Sequence, residues 1–207
     1  MHQRDYWESL YREEYDSFIK YNLYGEDWFE QYTDGGRKIV NFIDILRIEY
    51  TGSQCSFLDL GCGNGQFLFL LDPTKFTKIL GVDYSSSAIE LAKEMGEKKN
   101  SPIDWLQADV FALPPRVSND EWNIIHDKGT LDAIELQGTK LVRDYLQVVV
   151  DLLAPKGYFI VTSCNKTLDE LVSILDGKLS FYRNLTYPVF RFGGQEGTVL
   201  VTAAFVK

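Results

Sequence analysis

The sequence predicts an α/β fold: a mostly parallel, doubly wound sheet with helices on both faces, closed by a C-terminal antiparallel hairpin. Three observations predict it. First, an apolar run, Phe57-Leu58-Asp59-Leu60, enters Gly61-Cys62-Gly63-Asn64-Gly65 and then a second apolar run over 67–71. Strand, glycine turn and helix start make the first half of a nucleotide-binding βαβ unit. Second, four more strand-like apolar runs alternate with segments of helical period, which gives parallel strands joined by crossovers. Third, no long helix remains after the segment at 167–175, and two strand-like stretches follow each other directly, as in a hairpin.

The elements follow in order. Residues 4–20 place Trp7, Leu10, Tyr11, Tyr15 and Phe18 on one helical face. Residues 21–34 are rich in Gly, Asn and Asp and read as a loop anchored by Trp28-Phe29. A helix at 36–49 buries Ile39, Phe42, Ile43 and Leu46, and Thr51-Gly52-Ser53 ends it. The glycine turn is expected to open a helix at 67–71. A second strand covers 78–83, and Ser87 with Glu90 fits a capping box that starts the next helix. A third strand covers 103–110, Leu113-Pro114-Pro115 breaks the chain, and a fourth covers 122–127. A long helix at about 139–153, a turn at Ala154-Pro155-Lys156-Gly157 and a fifth strand at 158–163 follow. Thr167 and Glu170 make a second capping box. The hairpin pairs 181–190 with 199–206 through a loop at 191–197.

The 207 residues, 45% of them hydrophobic, suit one domain with a full core. We expect a single domain over 1–207, with residues 1–35 as a cap over the site. The net charge of −9 disfavours nucleic acid and anionic membranes, which would repel it. Three cysteines without CxxC spacing and two histidines assemble no zinc site. No window reaches the length of a membrane span. The expectation is a cytoplasmic monomer without metal.

Strands one to four each place an acid near the carboxyl end: Asp59, Asp83, Asp109 and Asp127. Ligands of open α/β sheets bind beyond those ends. Asp83, 24 residues after Asp59, stands where a carboxylate accepts hydrogen bonds from two ribose hydroxyls. The glycines fall at 61, 63 and 65, with Gln66 where a dinucleotide site carries its third glycine. The Gly-Lys-Ser/Thr phosphate loop is absent. A ligand with ribose and adenine but no phosphates fits better, and S-adenosylmethionine is such a ligand, its cationic sulfonium suited to carboxylates and aromatics.

Asp59-Leu-Gly-Cys-Gly-Asn-Gly65 resembles the general class I methyltransferase motif, and the closing hairpin resembles that Rossmann-like sheet, seven strands in the order 3-2-1-4-5-7-6. More specific are Asp127-Lys-Gly-Thr-Leu-Asp-Ala133, Tyr6-Trp7 with Tyr11, Gly25-Glu-Asp-Trp-Phe29, Val161-Thr-Ser-Cys-Asn165 and Phe192-Gly-Gly194. Together these segments are similar to methyltransferases that modify a lysine of translation elongation factor 1-alpha, a basic protein. The resemblance implies that Gly61 and Gly63 contact the methionine part of S-adenosylmethionine. It implies that Asp83 binds ribose, Tyr84 lies beside adenine, and Asp109 and Val110 hold adenine. It also implies that Asp127 and Lys128 line the floor near the methyl group, and that Trp7, Tyr11 and Trp28 close over the cofactor.

The reaction this implies is in-line methyl transfer to a neutral lysine amine, in which orientation is the main task. Asp127 and Asn165 are the candidate catalytic residues, with Ser163 as a further candidate for aligning the amine. His126 reads as structural, because strand alternation turns it away from Asp127. Three other readings stay open: a small-molecule methyltransferase, an oxidoreductase, and a non-catalytic binding module.

Overall fold

A computed structural model describes residues 3–25, 29, 34, 36–51, 55–188, 190–192, 195–197 and 199–207. Trp28, with Glu26 and Asp27, lies outside the described residues, as do Gly52, Ser53, Gly193 and Gly194.

Helix α1 spans Gln3–Tyr21 and α2 spans Arg37–Thr51. On α1, Tyr11 and Phe18 are buried, whereas Tyr6 and Ile19 stay about half exposed. All four apolar residues expected to pack from α2 do so. Strand β1, Cys55–Leu60, is buried at every position, as a central parallel strand covered on both faces must be.

Past the glycine turn the chain departs from expectation. No α-helix forms at 67–71. A 3-10 turn at Leu68–Leu70 leads instead to another at Pro73–Lys75. Pro73 biases the residue before it away from helix, and the Asp72 carboxylate accepts the Thr74 N–H at 3.1 Å. The apolar side chains are still used: Phe67, Leu68 and Leu71 pack with Ile39, Phe42 and Ile43.

Strand β2 is Phe76–Asp83 and helix α3 is Ser86–Lys99. The N-cap of α3 is Ser85, whose Oγ accepts from Ala88 N at 3.1 Å. The expected Ser87–Glu90 box does not form, because Ser87 is taken by Glu8 at 2.5 Å and Glu90 faces Arg12 at 3.4 Å. Strand β3 is only Asp104–Gln107, and Asp109 lies beyond it, capping a 3-10 turn by accepting Phe111 N at 3.0 Å. Pro115 opens the one-turn helix α4, Pro115–Ser118, at a position where its missing N–H is not needed.

Strand β4, Trp122–Lys128, is followed by a short helix the sequence reading lacks, α5, Thr130–Glu135. Helix α6 is Thr139–Leu152, and β5 is Leu153–Ser163. The expected turn at 154–157 lies inside β5 as a bulge, since Trp122 pairs with Leu153 and Ile124 with Tyr158. Helix α7, Leu168–Leu175, carries the expected Thr167–Glu170 capping box. Strands β6, Ser180–Leu185, and β9, Val201–Val206, form the antiparallel hairpin. The connection expected as a plain loop contains a two-stranded ribbon, β7 Phe190–Phe192 with β8 Gln195–Gly197.

The main sheet runs β3-β2-β1-β4-β5-β9-β6. Counting β6 and β9 as strands six and seven gives the expected order, with β9 antiparallel to both neighbours. One face packs Leu58, Ile125 and Phe159 with Tyr145 and Val149 of α6. The other packs Phe57, Ile124 and Ile160 with α2. Strand order reverses between β1 and β4, which puts the ligand crevice at their carboxyl ends.

Candidate active site

A cavity of about 540 Å³ opens at that crevice, within the usual range for small-ligand sites. The glycine turn forms one wall. Gly61 and Gly63 have φ of +74° and +55°, backbone that favours glycine. A Cβ on Gly61 would fall 1.9 Å from Thr130 Oγ1, and one on Gly63 would fall 2.3 Å from Tyr11 Oη. The turn is therefore held between α5 and α1. Thr130 Oγ1 also donates to Leu60 O at 2.8 Å.

Asp83 stands in the adjoining corner, 6% exposed. One carboxylate oxygen accepts Gly63 N at 2.9 Å and the other accepts Ser85 N at 2.9 Å. Each oxygen keeps a further acceptor position, the pattern that a vicinal diol requires. Burial pushes the Asp83 carboxyl up to about 6. The Ser85 and Gly63 N–H bonds oppose this, and the Asp59 and Glu8 charges add to it. Tyr84, Asp109 and Val110 continue this wall, while Trp7 and Tyr11 face it from α1. The Trp7 and Tyr11 rings stack, 6.1 Å apart at 23°.

Thus nine expected cofactor residues share one cavity: Trp7, Tyr11, Gly61, Gly63, Asp83, Tyr84, Asp109, Val110 and Lys128. Asn165 also lines it. Asp127 does not, and here the expectation requires correction. Its side chain is fully buried and turned into the protein. It accepts Thr130 N at 2.8 Å, Leu131 N at 3.0 Å and Tyr145 Oη at 2.7 Å. Asp127 caps the start of α5 and ties it to α6. Burial pushes its carboxyl up to about 8 despite the Tyr145 bond. His126 is structural in its contacts: fully buried, stacked on Phe67 at 4.5 Å, with Nδ1 2.7 Å from Asp59 Oδ1.

The carboxylate that does face this end of the cavity is Asp132, which the sequence reading passed over. It accepts Ser163 Oγ at 2.5 Å and Cys164 N at 2.8 Å. Ser163 in turn accepts Asn165 N and Lys166 N at 3.2 and 3.0 Å. The signal was within the Asp127–Ala133 segment: a helix capped by Asp127 turns the acid five residues later onto a different face. Partial burial, and then Asp132, push the Cys164 thiol up to about 11. That thiol is a weak donor here and no thiolate nucleophile. Phe29, Ala133, Leu136 and Gln137 complete this end, and Lys128 Nζ sits 5.8 Å from the Phe29 ring centre.

Comparison with known proteins places this geometry. A methyltransferase-domain family model matches residues 51–200. Protein-lysine N-methyltransferase EFM4 of Saccharomyces cerevisiae is 37% identical over 216 residues, covering 99% of this chain and 93% of that protein. The chain belongs to this family of protein-lysine methyltransferases. EEF1A lysine methyltransferase 2 of Homo sapiens is 33% identical over 208 residues, covering 99% of this chain and 85% of that protein. Among solved structures, the N-methyltransferase NodS of Bradyrhizobium japonicum aligns with a TM-score of 0.67 at 18% identity, covering 93% of this chain and 97% of that one. Magnesium protoporphyrin IX methyltransferase of Synechocystis gives 0.69 at 13% identity, covering 100% and 98%. These likenesses establish the class I methyltransferase fold.

S-adenosylmethionine is the methyl donor of such protein-lysine methyltransferases, and the residues present fit it. The described cavity wall carries the carboxylates Asp59, Asp83, Asp109 and Asp132 against the single ammonium of Lys128. Such a wall favours a cation and disfavours a pyrophosphate. Asp83 offers the diol its acceptors, and the aromatic wall of α1 suits a sulfonium. No group of three or more His, Cys, Asp or Glu side chains among the described residues is arranged to hold a metal.

Proposed function

We propose that the chain is an S-adenosylmethionine-dependent protein-lysine N-methyltransferase acting on translation elongation factor 1-alpha. The observation that carries the protein-substrate reading is the cavity mouth. Tyr6, Phe111 and Leu136 line the cavity and are nonetheless 48%, 39% and 74% exposed. An apolar collar around an opening suits a macromolecule that inserts one side chain. The net charge of −9 suits a basic partner. The reading includes a single domain over 1–207 with residues 1–35 as its cap, working as a cytoplasmic monomer without nucleic acid or membrane. No described helix is long and apolar enough to cross a membrane.

When bound, S-adenosylmethionine supplies an electrophilic methyl on a cationic sulfonium. The protein's part is to deliver a neutral amine in line with it. Phe29 and Ala133 keep water from the acceptor end, Leu136 joins them once the substrate covers the mouth, and desolvation lowers the amine pKa. The Lys128 ammonium acts in the same direction. Asp132 and Asn165 accept the amine N–H groups and fix the lone pair. A carboxylate alone would raise the amine pKa; the bonds Asp132 receives from Ser163 Oγ, Cys164 N and Cys164 Sγ lessen that pull, and the Lys128 charge opposes it. Asp127 supports the floor from behind, and Trp28 belongs to the proposed closure by its place in the motif.

Incubating the protein with S-adenosylmethionine and elongation factor 1-alpha, followed by mass spectrometry of the factor, tests the assignment. Methyl groups on one lysine are expected. An unmodified factor, with label passing only into small molecules, would support the small-molecule reading instead.

The site also predicts a pH dependence. Ribose hydroxyls donate to ionised Asp83, so cofactor affinity should fall as pH drops through about 6, by roughly tenfold per unit below it. Apo stability runs the other way. The folded carboxyl holds its proton above the ordinary value of 3.8, so this residue's contribution to stability falls as pH rises from 3.8 to about 6. Calorimetric titration with S-adenosylhomocysteine between pH 5 and 8 reads the first effect, and a flat profile would remove Asp83 from ribose recognition.

A further inference from the structure

Glu8 lies on α1 beside Trp7, and its side chain crosses to the start of α3. One oxygen accepts Ser85 Oγ at 2.7 Å. The other accepts Ser87 Oγ at 2.5 Å, Ser86 Oγ at 3.0 Å and Ser87 N at 3.3 Å. A carboxylate at a helix N-terminus is favourably placed, and this one comes from another helix altogether. Partial burial raises the Glu8 carboxyl, but the serine bonds outweigh it and hold the group below its ordinary value.

The contact matters because of what Ser85 does next. Its N–H is one of the two that hold the Asp83 carboxylate. The other holder is Gly63 N, and Gly63 is the residue against which Tyr11 of α1 packs so closely that no Cβ fits. Helix α1 therefore reaches Asp83 from both sides, through Glu8 to Ser85 and through Tyr11 to Gly63. The carboxylate expected to grip the ribose is aimed by two loops, and one helix fixes both.

We infer that Glu8 is a positioning residue for cofactor binding: it fixes α1, with its Trp7–Tyr11 wall, to the Ser85 loop that aims Asp83. This rests on the cofactor reading above. Glu8 does not line the cavity, so its effect must pass through Ser85 and the position of α1. Other contacts would still hold α1 down without it. Phe18 is fully buried with Leu91 and Met95, Arg12 meets Glu90, and Asn64 Nδ2 donates to Glu14 at 2.9 Å.

The test compares wild type with Glu8→Ala and Glu8→Gln. Glu8→Ala removes all four acceptor contacts, and Glu8→Gln keeps the shape but turns one acceptor into a donor. The dissociation constant of S-adenosylhomocysteine and the KM for S-adenosylmethionine should rise about tenfold in Glu8→Ala and less in Glu8→Gln. The turnover number at saturating cofactor should stay within about twofold, while the urea midpoint of the ligand-free protein falls modestly in Glu8→Ala as the buried hydroxyls of Ser85 and Ser87 lose their acceptor. Unchanged cofactor affinity in both variants would overturn the proposal. So would a parallel loss of turnover, affinity and ligand-free stability, which marks a merely structural contact. Absence of S-adenosylhomocysteine binding by the wild type would strike at the cofactor reading itself, a separate outcome.

Discussion

Replacing Asp127 with alanine should lower the unfolding free energy by about 3 kcal/mol, the sum expected for a lost helix cap and a buried hydroxyl left without its acceptor. The carboxylate takes the N–H groups of Thr130 and Leu131 and the Tyr145 hydroxyl, all at a fully buried position. Alanine leaves the Leu131 N–H and the Tyr145 hydroxyl unpaired at buried positions. Asp127→Asn should behave differently. Its amide oxygen can accept from the backbone and its NH₂ can donate to Tyr145 Oη, so the variant should fold and methylate. It also removes a titration. The wild-type carboxyl holds its proton up to about 8 when folded, against an ordinary value of 3.8, so its contribution to stability falls as pH rises across that window. The stability of Asp127→Asn relative to wild type should accordingly increase with pH. Urea unfolding at several pH values reads both effects. An alanine variant with wild-type stability but no activity would restore Asp127 to the floor of the active site.

Asp132→Asn should reduce the turnover number by about 100-fold, the scale on which misplacing a reacting group is felt. The affinity for S-adenosylhomocysteine should stay within about twofold. Asparagine fills the same space and keeps one acceptor for Ser163 or Cys164 N, so the loop at 163–166 has a route to its present shape. What is lost is the charged acceptor turned towards the incoming amine. Steady-state kinetics with the protein substrate, alongside calorimetry with the cofactor product, separates the two terms. Full turnover would remove Asp132 from amine alignment. A loss confined to cofactor affinity would move it to the cofactor side of the cavity.

The contrast between these two acids shows where sequence reasoning stops. The five parallel strands, α2, α6 and the Thr167–Glu170 box were all legible, because apolar period and local caps are properties of neighbouring residues. The glycine turn and Asp83 were legible for the same reason. What failed depended on distant partners. Asp127 follows His126 on the strand, so alternation correctly separates the two side chains. But besides the nearby N–H groups of Thr130 and Leu131 it accepts from Tyr145, 18 residues away, and no local pattern announces that buried contact. Ser87 and Glu90 match a capping box, yet Glu8, 79 residues from Ser87, displaces it. The helix expected after Gly65 gives way to 3-10 turns because Pro73 leaves too little chain for it. Helix α5 is only six residues long, too short for its period to stand out.

The reach of α1 across the chain also has a consequence for biosynthesis. This helix precedes its packing partners in the chain, and Phe18 has nowhere to pack until Leu91 and Met95 of α3 exist. Glu8 must likewise wait for the serines at 85–87. The contacts span more than 70 residues, and closing so long a loop comes late in folding. During translation α1 would therefore remain undocked, with an apolar side chain exposed, until α3 has emerged. The aromatic wall of the cofactor cavity is thus made before the helix that holds it in place.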